Sequence, residues 1–132
     1  MTKYLFDTSA WICHFRRPMQ DSDAQLQSQI QSILTGEQVV SCGMVIAEVL
    51  QGISDREEKS YRDFFGALPC LETLPELYFR AAQLSRMLRD SGNTTPLADC
   101  LIAAHALYYD CVLAAADRDF TRFPELKLLL LE

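Results

Sequence analysis

Five carboxylates carry the chemistry that this sequence offers: Asp7, Glu48, Asp99, Asp117 and Asp119. Asp7 directly follows the apolar run Tyr4-Leu5-Phe6, and Asp117 and Asp119 come just after Val112–Ala115. Glu48 is set among Val45, Ile46, Val49 and Leu50, where a charge is costly unless paired or metal-bound. Asp99 lies three positions after Pro96, in the first turn of an apolar helical pattern. If these groups converge, they repel one another in a weakly polar cleft, and a bound divalent cation resolves the conflict. An all-oxygen donor set favours Mg²⁺, with Mn²⁺ as a second choice, over zinc. Such ions polarise phosphoryl oxygens and lower the pKa of a bound water, so the substrate class is a phosphodiester or phosphoanhydride.

The elements around the acids decide whether they meet. Tyr4–Phe6 reads as a short buried strand ended by the polar turn Asp7-Thr8-Ser9. A helix over 23–34 follows, with Gly36 as a left-handed exit, then a second strand at Val39-Val40-Ser41 and a helix from Met44 to Leu50. Ser54 and Glu57 have the spacing of a capping box that opens a helix to about Leu68. Cys70 to Leu74 forms a third strand, and Pro75 starts a helix carrying Leu77, Ala81, Leu84 and Leu88 up to Ser91-Gly92. Thr95-Pro96 starts the next helix, with Leu97, Leu101, Ala104 and Tyr108 on one stripe. Val112 to Ala115 is a fourth strand, Asp117 to Phe120 a loop and Leu128 to Leu131 a fifth strand.

Strands that alternate with helices and are apolar on both faces predict an α/β fold, a three-layer sandwich around a mainly parallel sheet of four to five strands. Ligands of such sheets gather at the carboxyl edge of the strands. Asp7, Asp117 and Asp119 follow strands and so reach that edge. Glu48 lies in the helix after the second strand, in its early turns. The helix of Asp99 leads into the fourth strand, so its first turn also begins at the carboxyl edge.

Composition bounds the rest. The chain has 132 residues, 49% of them apolar, which fits one domain over 1–132 able to build a core without metal or disulfide staples. Any metal is therefore catalytic. Eighteen acidic against twelve basic residues give a net charge of −6, which excludes coating a polyanion by bulk charge. The five cysteines never form a C-x-x-C pair and read as reduced thiols. The first residues lack the pattern of a signal peptide, and no apolar run approaches the ~20 residues of a membrane span, so a cytoplasmic protein with no membrane partner is expected.

Four segments carry a resemblance. They are Asp7-Thr8-Ser9-Ala10-Trp11, Val45 to Gly52 around Glu48, Pro96 to Leu107 around Asp99, and Asp117-Arg118-Asp119-Phe120. In order and spacing they resemble the PIN-domain ribonucleases, and within them the VapC toxins of toxin-antitoxin pairs, over about residues 3 to 124. The resemblance implies a PIN-like fold and a metal-dependent endoribonuclease that hydrolyses RNA, forms a homodimer and is held inactive by a cognate VapB-like antitoxin. It places Asp7, Glu48 and Asp99 at the family's three main acids, Asp117 at the fourth, and Asp119 at a less uniform further one. Ser9 matches a small hydroxyl residue that hydrogen-bonds among the carboxylates. The departure is Ala115, where relatives commonly carry a polar residue.

Plainer readings stand beside these. Asp7 is also a turn former, and Asp99 also complements a helix dipole. His105 faces away from Asp99 and reads as a packing histidine, and Trp11 and Phe15 as core or dimer surface. Trp11, Phe15, Phe64 and Phe65 are candidates for burial against a second copy or an antitoxin helix. Arg16, Arg17, Arg118 and Arg122 face either phosphates or solvent. A phosphoacceptor domain is disfavoured because Ser9 stands where a second aspartate would be needed. The main rival is a degenerate module of the same fold that binds without cleaving RNA, motivated by Ala115.

Overall fold

The computed structural model describes residues 2–132. Its strands are β1 (Lys3–Phe6), β2 (Gln38–Cys42), β3 (Cys70–Leu71), β4 (Val112–Ala115) and β5 (Leu128–Leu130). Its helices are α1 (Thr8–Phe15), α2 (Asp21–Gly36), α3 (Gly43–Leu50), α4 (Glu58–Gly66), α5 (Pro75–Asp90) and α6 (Leu97–Tyr108). Single 3₁₀ turns span Asp55–Glu57 and Arg118–Arg122. The strands form one parallel sheet in the order β3-β2-β1-β4-β5, flanked by the helices. This is the expected α/β architecture, with all five strands in place.

The order explains where a site can form. From β1 the chain steps outward to β2 and β3, then crosses back to β4 on the other side of β1 and on to β5. Between β1 and β4 the connections diverge, and in sheets of this kind ligands bind at the carboxyl edge of such a switch point. Register there is tight: Leu5 pairs with Leu113 and Phe6 with Ala114, and the Asp7 N–H continues the ladder to the Ala114 carbonyl at 3.1 Å.

Packing beneath the edge is dense. Leu5, Phe6, Trp11, Ile30, Leu77, Ile102 and Leu113 are fully buried. Helix α6 is buried without interruption from Cys100 to Ala106, because it packs against α5, α3 and β4. The expected single stripe is therefore wrong at its ends: Leu97 and Tyr108 are exposed. A helix enclosed all round shows no amphipathic period, and the small Ala103, Ala104 and Ala106 allow the close approach.

Other boundaries differ for local reasons. The polar turn at Asp7-Thr8-Ser9 is in fact the start of α1, which the sequence reading left out. Gly36 does not take a left-handed conformation, and the chain leaves α2 through an extended Glu37. Gly92 does, at φ +90°, and it closes α5 as a Schellman motif, with Asn93 N–H donating to the Leu88 carbonyl and Gly92 N–H to that of Arg89. The third strand stops at Leu71 because the following residues turn into α5, where Pro75 takes the first helical position. The capping box of Ser54 and Glu57 is present, but it opens a 3₁₀ turn ahead of α4. The segment read as a loop after Asp117 is the second 3₁₀ turn.

All five cysteines are free, and only Cys70 is exposed. No helix among the described residues is long and apolar enough to cross a membrane.

Candidate metal centre

Asp7 is the best-buried of the acids, at 2% exposure. It caps α1: one carboxylate oxygen accepts the Ala10 N–H at 2.8 Å. The Ser9 hydroxyl lies 2.8 and 2.7 Å from the two carboxylate oxygens and donates to them. The same Ser9 oxygen accepts the Ala116 N–H at 3.1 Å, which ties the end of β1 to the segment after β4. Ser9 thus links the two strand exits. These hydrogen bonds favour the carboxylate, yet burial outweighs them and, with a smaller push from Asp117, raises the Asp7 pKa from 3.8 to about 6.

Asp99 lies in the first turn of α6. Its pKa is also raised from 3.8 to about 6, by burial first and then by Glu48, Asp117, Asp7 and Asp119 in that order. The charges that push it up are those of the other four acids that the sequence singled out. With Asp99, they come from β1's exit, α3, α6 and the turn after β4, positions that are distant in the chain.

Glu48 is the sixth residue of an eight-residue helix, so it sits in the second turn of α3. It is half-buried: Val45 and Val49 carry the buried side of α3, and one Glu48 oxygen accepts a hydrogen bond from the Thr8 hydroxyl at 2.6 Å. That contact is the feature which the sequence reading missed. Threonine at the start of a helix gives no one-dimensional sign of a partner forty positions away.

Asp117 caps the second 3₁₀ turn, accepting the Asp119 N–H at 2.8 Å. Asp119 lies farther out, and the Arg122 guanidinium stands 3.3 Å from its carboxylate. Ala115 is completely buried at the last position of β4.

An all-oxygen set of acids, two of them raised by burial and by their neighbours' negative charge, fits a hard divalent cation. Among the described residues no three acidic, histidine or cysteine side chains are drawn close enough to form a finished cage. The acids form an open set.

The remaining candidates fall outside the centre. His105 is fully buried, its Nδ1 2.8 Å from the Leu101 carbonyl and its Nε2 2.7 Å from the Thr73 hydroxyl. A carbonyl only accepts, so Nδ1 bears the proton and Thr73 donates to Nε2, and burial pushes the pKa of His105 down. Trp11 and Phe65 are core, and Phe15 and Phe64 pack against them, so this aromatic cluster is not the open docking face that was expected. Exposed large apolar side chains lie instead at Ile12, Met19, Tyr78, Phe79, Met87, Leu97 and Tyr108. Arg16 and Arg118 are engaged with Asp23 and Glu132.

The sequence pattern of the family described as PIN domain matches residues 4–126. Among solved structures, the chain is similar to VapBC2 from Rickettsia felis bound to a DNA fragment from its promoter, with 22% identity, a TM-score of 0.78 and coverage of 99% of this chain and 100% of that one. It is similar to DNA-bound VapBC from Salmonella typhimurium, with 18% identity, a TM-score of 0.78 and full coverage of both chains, 100% and 100%. A third similarity is to Mycobacterium tuberculosis VapC20, described as a sarcin-ricin loop cleaving toxin, at 13% identity and a TM-score of 0.68, over 94% of this chain and 97% of that one. No curated protein matches the chain closely enough to count as a relative. With the fold shared along its whole length and the family pattern spanning nearly all of it, the chain belongs to the PIN domain family.

Proposed function

We propose that the protein is a divalent-metal-dependent endoribonuclease of the VapC toxin type, which hydrolyses RNA phosphodiester bonds. One observation carries this reading: the Ser9 hydroxyl bonds the buried Asp7 carboxylate and the Ala116 N–H, which holds Asp7 beside the turn of Asp117, and burial with the neighbouring acids pushes Asp99 up, a set of like charges that a cation would relieve. Asp7, Glu48, Asp99 and Asp117 would hold the ion, with Asp119 at the outer side. Magnesium keeps several of its waters and needs few protein ligands, which suits an open set of carboxylates. When bound, Mg²⁺ or Mn²⁺ supplies a Lewis acid for the phosphoryl oxygen and a water of lowered pKa.

The chain's own residues do the positioning. Ser9 fixes Asp7 through both oxygens and fixes the exit of β4 through Ala116, so the Asp7 and Asp117 backbones keep their separation. Asp117 orders the turn that carries Asp119. The net charge of −6 repels RNA at long range, so substrate must be gripped locally, beside the acids. RNA as the substrate is supported by the similarity to VapC20.

The partner reading is a VapB-like antitoxin and a second copy of the chain, supported by the similarity to VapBC complexes. A cleft of about 350 Å³ beside Glu48, lined by Ile12, Phe15, Val49, Ile53 and Tyr61, offers apolar surface next to the acids. A separate groove of about 450 Å³ at Met44, Tyr78, Leu97 and Leu101 offers another.

The test is cleavage of RNA by purified protein freed of any partner, with Mg²⁺ or Mn²⁺ against EDTA and with Asp7→Asn as control. Cleavage that needs metal and disappears in Asp7→Asn is expected. Ala115 favours the second reading, a catalytically degenerate module of the same fold that acts only as a binding partner; no cleavage with either metal by folded, partner-free protein would favour that reading instead.

A further inference from the structure

We infer that Thr8 is a positioning residue for Glu48, holding the carboxylate of α3 toward Asp99; the inference rests on the metal-dependent reading above. The hydroxyl lies 2.6 Å from a Glu48 oxygen, and a carboxylate only accepts, so Thr8 donates in a charge-assisted hydrogen bond. The residues are forty positions apart, and the bond joins two short helices, α1 and α3, that pack against each other. Among the described residues it is the one hydrogen bond made by the Glu48 side chain.

Three features assign the hydroxyl to Glu48 and not to the helix. Capping of α1 is already done by Asp7, whose carboxylate takes the Ala10 N–H. Thr8 is the first residue of α1, so no carbonyl one turn earlier in that helix competes for its hydroxyl. Glu48 is half-buried on a helix of two turns, and nothing else fixes its flexible side chain against repulsion from the other acids. Helix α3 packs against α6, whose first turn carries Asp99, so like charges on the two helices drive the Glu48 side chain toward solvent. Thr8 opposes that movement. Because α1 starts at Asp7, one turn of helix orients two acids: Asp7 by its own backbone and Glu48 through the next side chain.

The test uses the full chain and Mn²⁺ alone as probe, titrated by electron paramagnetic resonance of the free ion. Thr8→Val keeps the shape and removes the donor; Thr8→Ser keeps the donor and removes a methyl. Thr8→Val should weaken Mn²⁺ binding by about tenfold, the scale seen when a residue that orients a ligand is removed, and Thr8→Ser should stay within about twofold of the unmutated chain. In a Glu48→Ala background, Thr8→Val should add no further loss. Thermal midpoints without metal should be alike for Val and Ser, since a merely structural role would move these and leave Mn²⁺ affinity unchanged. An unmutated chain that binds Mn²⁺ and a Thr8→Val chain that binds it equally would overturn the role of Thr8 alone, as would a Thr8→Val loss undiminished beside Glu48→Ala. An unmutated chain that binds no Mn²⁺ would overturn the metal-dependent reading and this role with it.

Discussion

Asp7 does two jobs that different substitutions separate. As an N-cap it accepts the Ala10 N–H, and as a buried acid it carries a pKa of about 6. Asparagine caps a helix about as well as aspartate, so Asp7→Asn should keep α1 while removing a charge that burial disfavours. Its expected effects are loss of RNA cleavage by more than about a hundredfold and a metal-free melting temperature raised by about 3 °C, roughly 1 kcal/mol. Asp7→Ala should lose the cap and be destabilised by about 1 kcal/mol relative to Asn. The pH dependence has a definite sign. The folded pKa values of Asp7 and Asp99 lie above 3.8, so between about 4 and 6 the folded chain binds more protons than the unfolded one. The stability these groups contribute is complete below 4 and is lost as pH rises through 6. In EDTA, the advantage of Asp7→Asn over the unmutated chain should therefore be larger at pH 7.5 than at pH 5; an equal or reversed difference would mean that Asp7 is not a buried, destabilising acid. Asp117 and Asp119 separate in the same way. Asp119 already faces Arg122 and is the weakest of the four influences on Asp99, so single-turnover cleavage should suffer more from Asp117→Asn than from Asp119→Asn.

Short helices, each started and stopped by a specific residue, carry the acids to the edge. α1 and α3 have eight residues each, below the length at which an isolated helix persists in water, so their stability comes from packing on each other and on the sheet. α6 differs: it is enclosed on all sides, and His105 braces it by bonding back to the Leu101 carbonyl one turn earlier and out to Thr73. α5 ends where Gly92 takes a positive φ, and the chain then returns to start α6 and bring Asp99 to the centre. A Cβ at Gly92 meets no neighbour, so the cost of Gly92→Ala is the strained backbone alone. That variant should lower the melting temperature by about 3 °C, on the order of 1 kcal/mol, and leave Mn²⁺ affinity unchanged. A large loss of metal binding would show that the α5–α6 connection orients Asp99 directly.

The whole molecule is acidic, yet it leaves Tyr78, Phe79, Leu97 and Tyr108 exposed on α5 and α6. Contact with a second copy would take this apolar surface from water. A dimer is the expected species in sedimentation at micromolar concentration, and Leu97→Glu should shift it toward monomer with an unchanged circular dichroism spectrum. An unmutated chain that stays monomeric at high concentration and binds no companion protein would count against the toxin reading and leave the PIN fold as it is.

The five strands and most of the helices follow from the sequence alone. Apolar runs of strand length that alternate with helical patterns leave little choice but a parallel sheet, and in such a sheet every strand exit points the same way. Asp7 and Asp117 were therefore legible from position, and Asp99 from the direction its helix must run. Helix α1 was not, because Asp7-Thr8-Ser9 has the same composition whether it turns the chain or starts a helix. Nor were the exposed ends of α6, since a helix enclosed on all faces loses the periodicity that would mark its inner side. The rise of Asp7 and Asp99 to about 6, the ion pair of Asp119 with Arg122 and the bond from Thr8 to Glu48 were decided by the tertiary structure alone. Burial, repulsion and hydrogen bonding act over a few ångströms between residues remote in the chain, and those separations exist only once the strands have paired and the helices have packed.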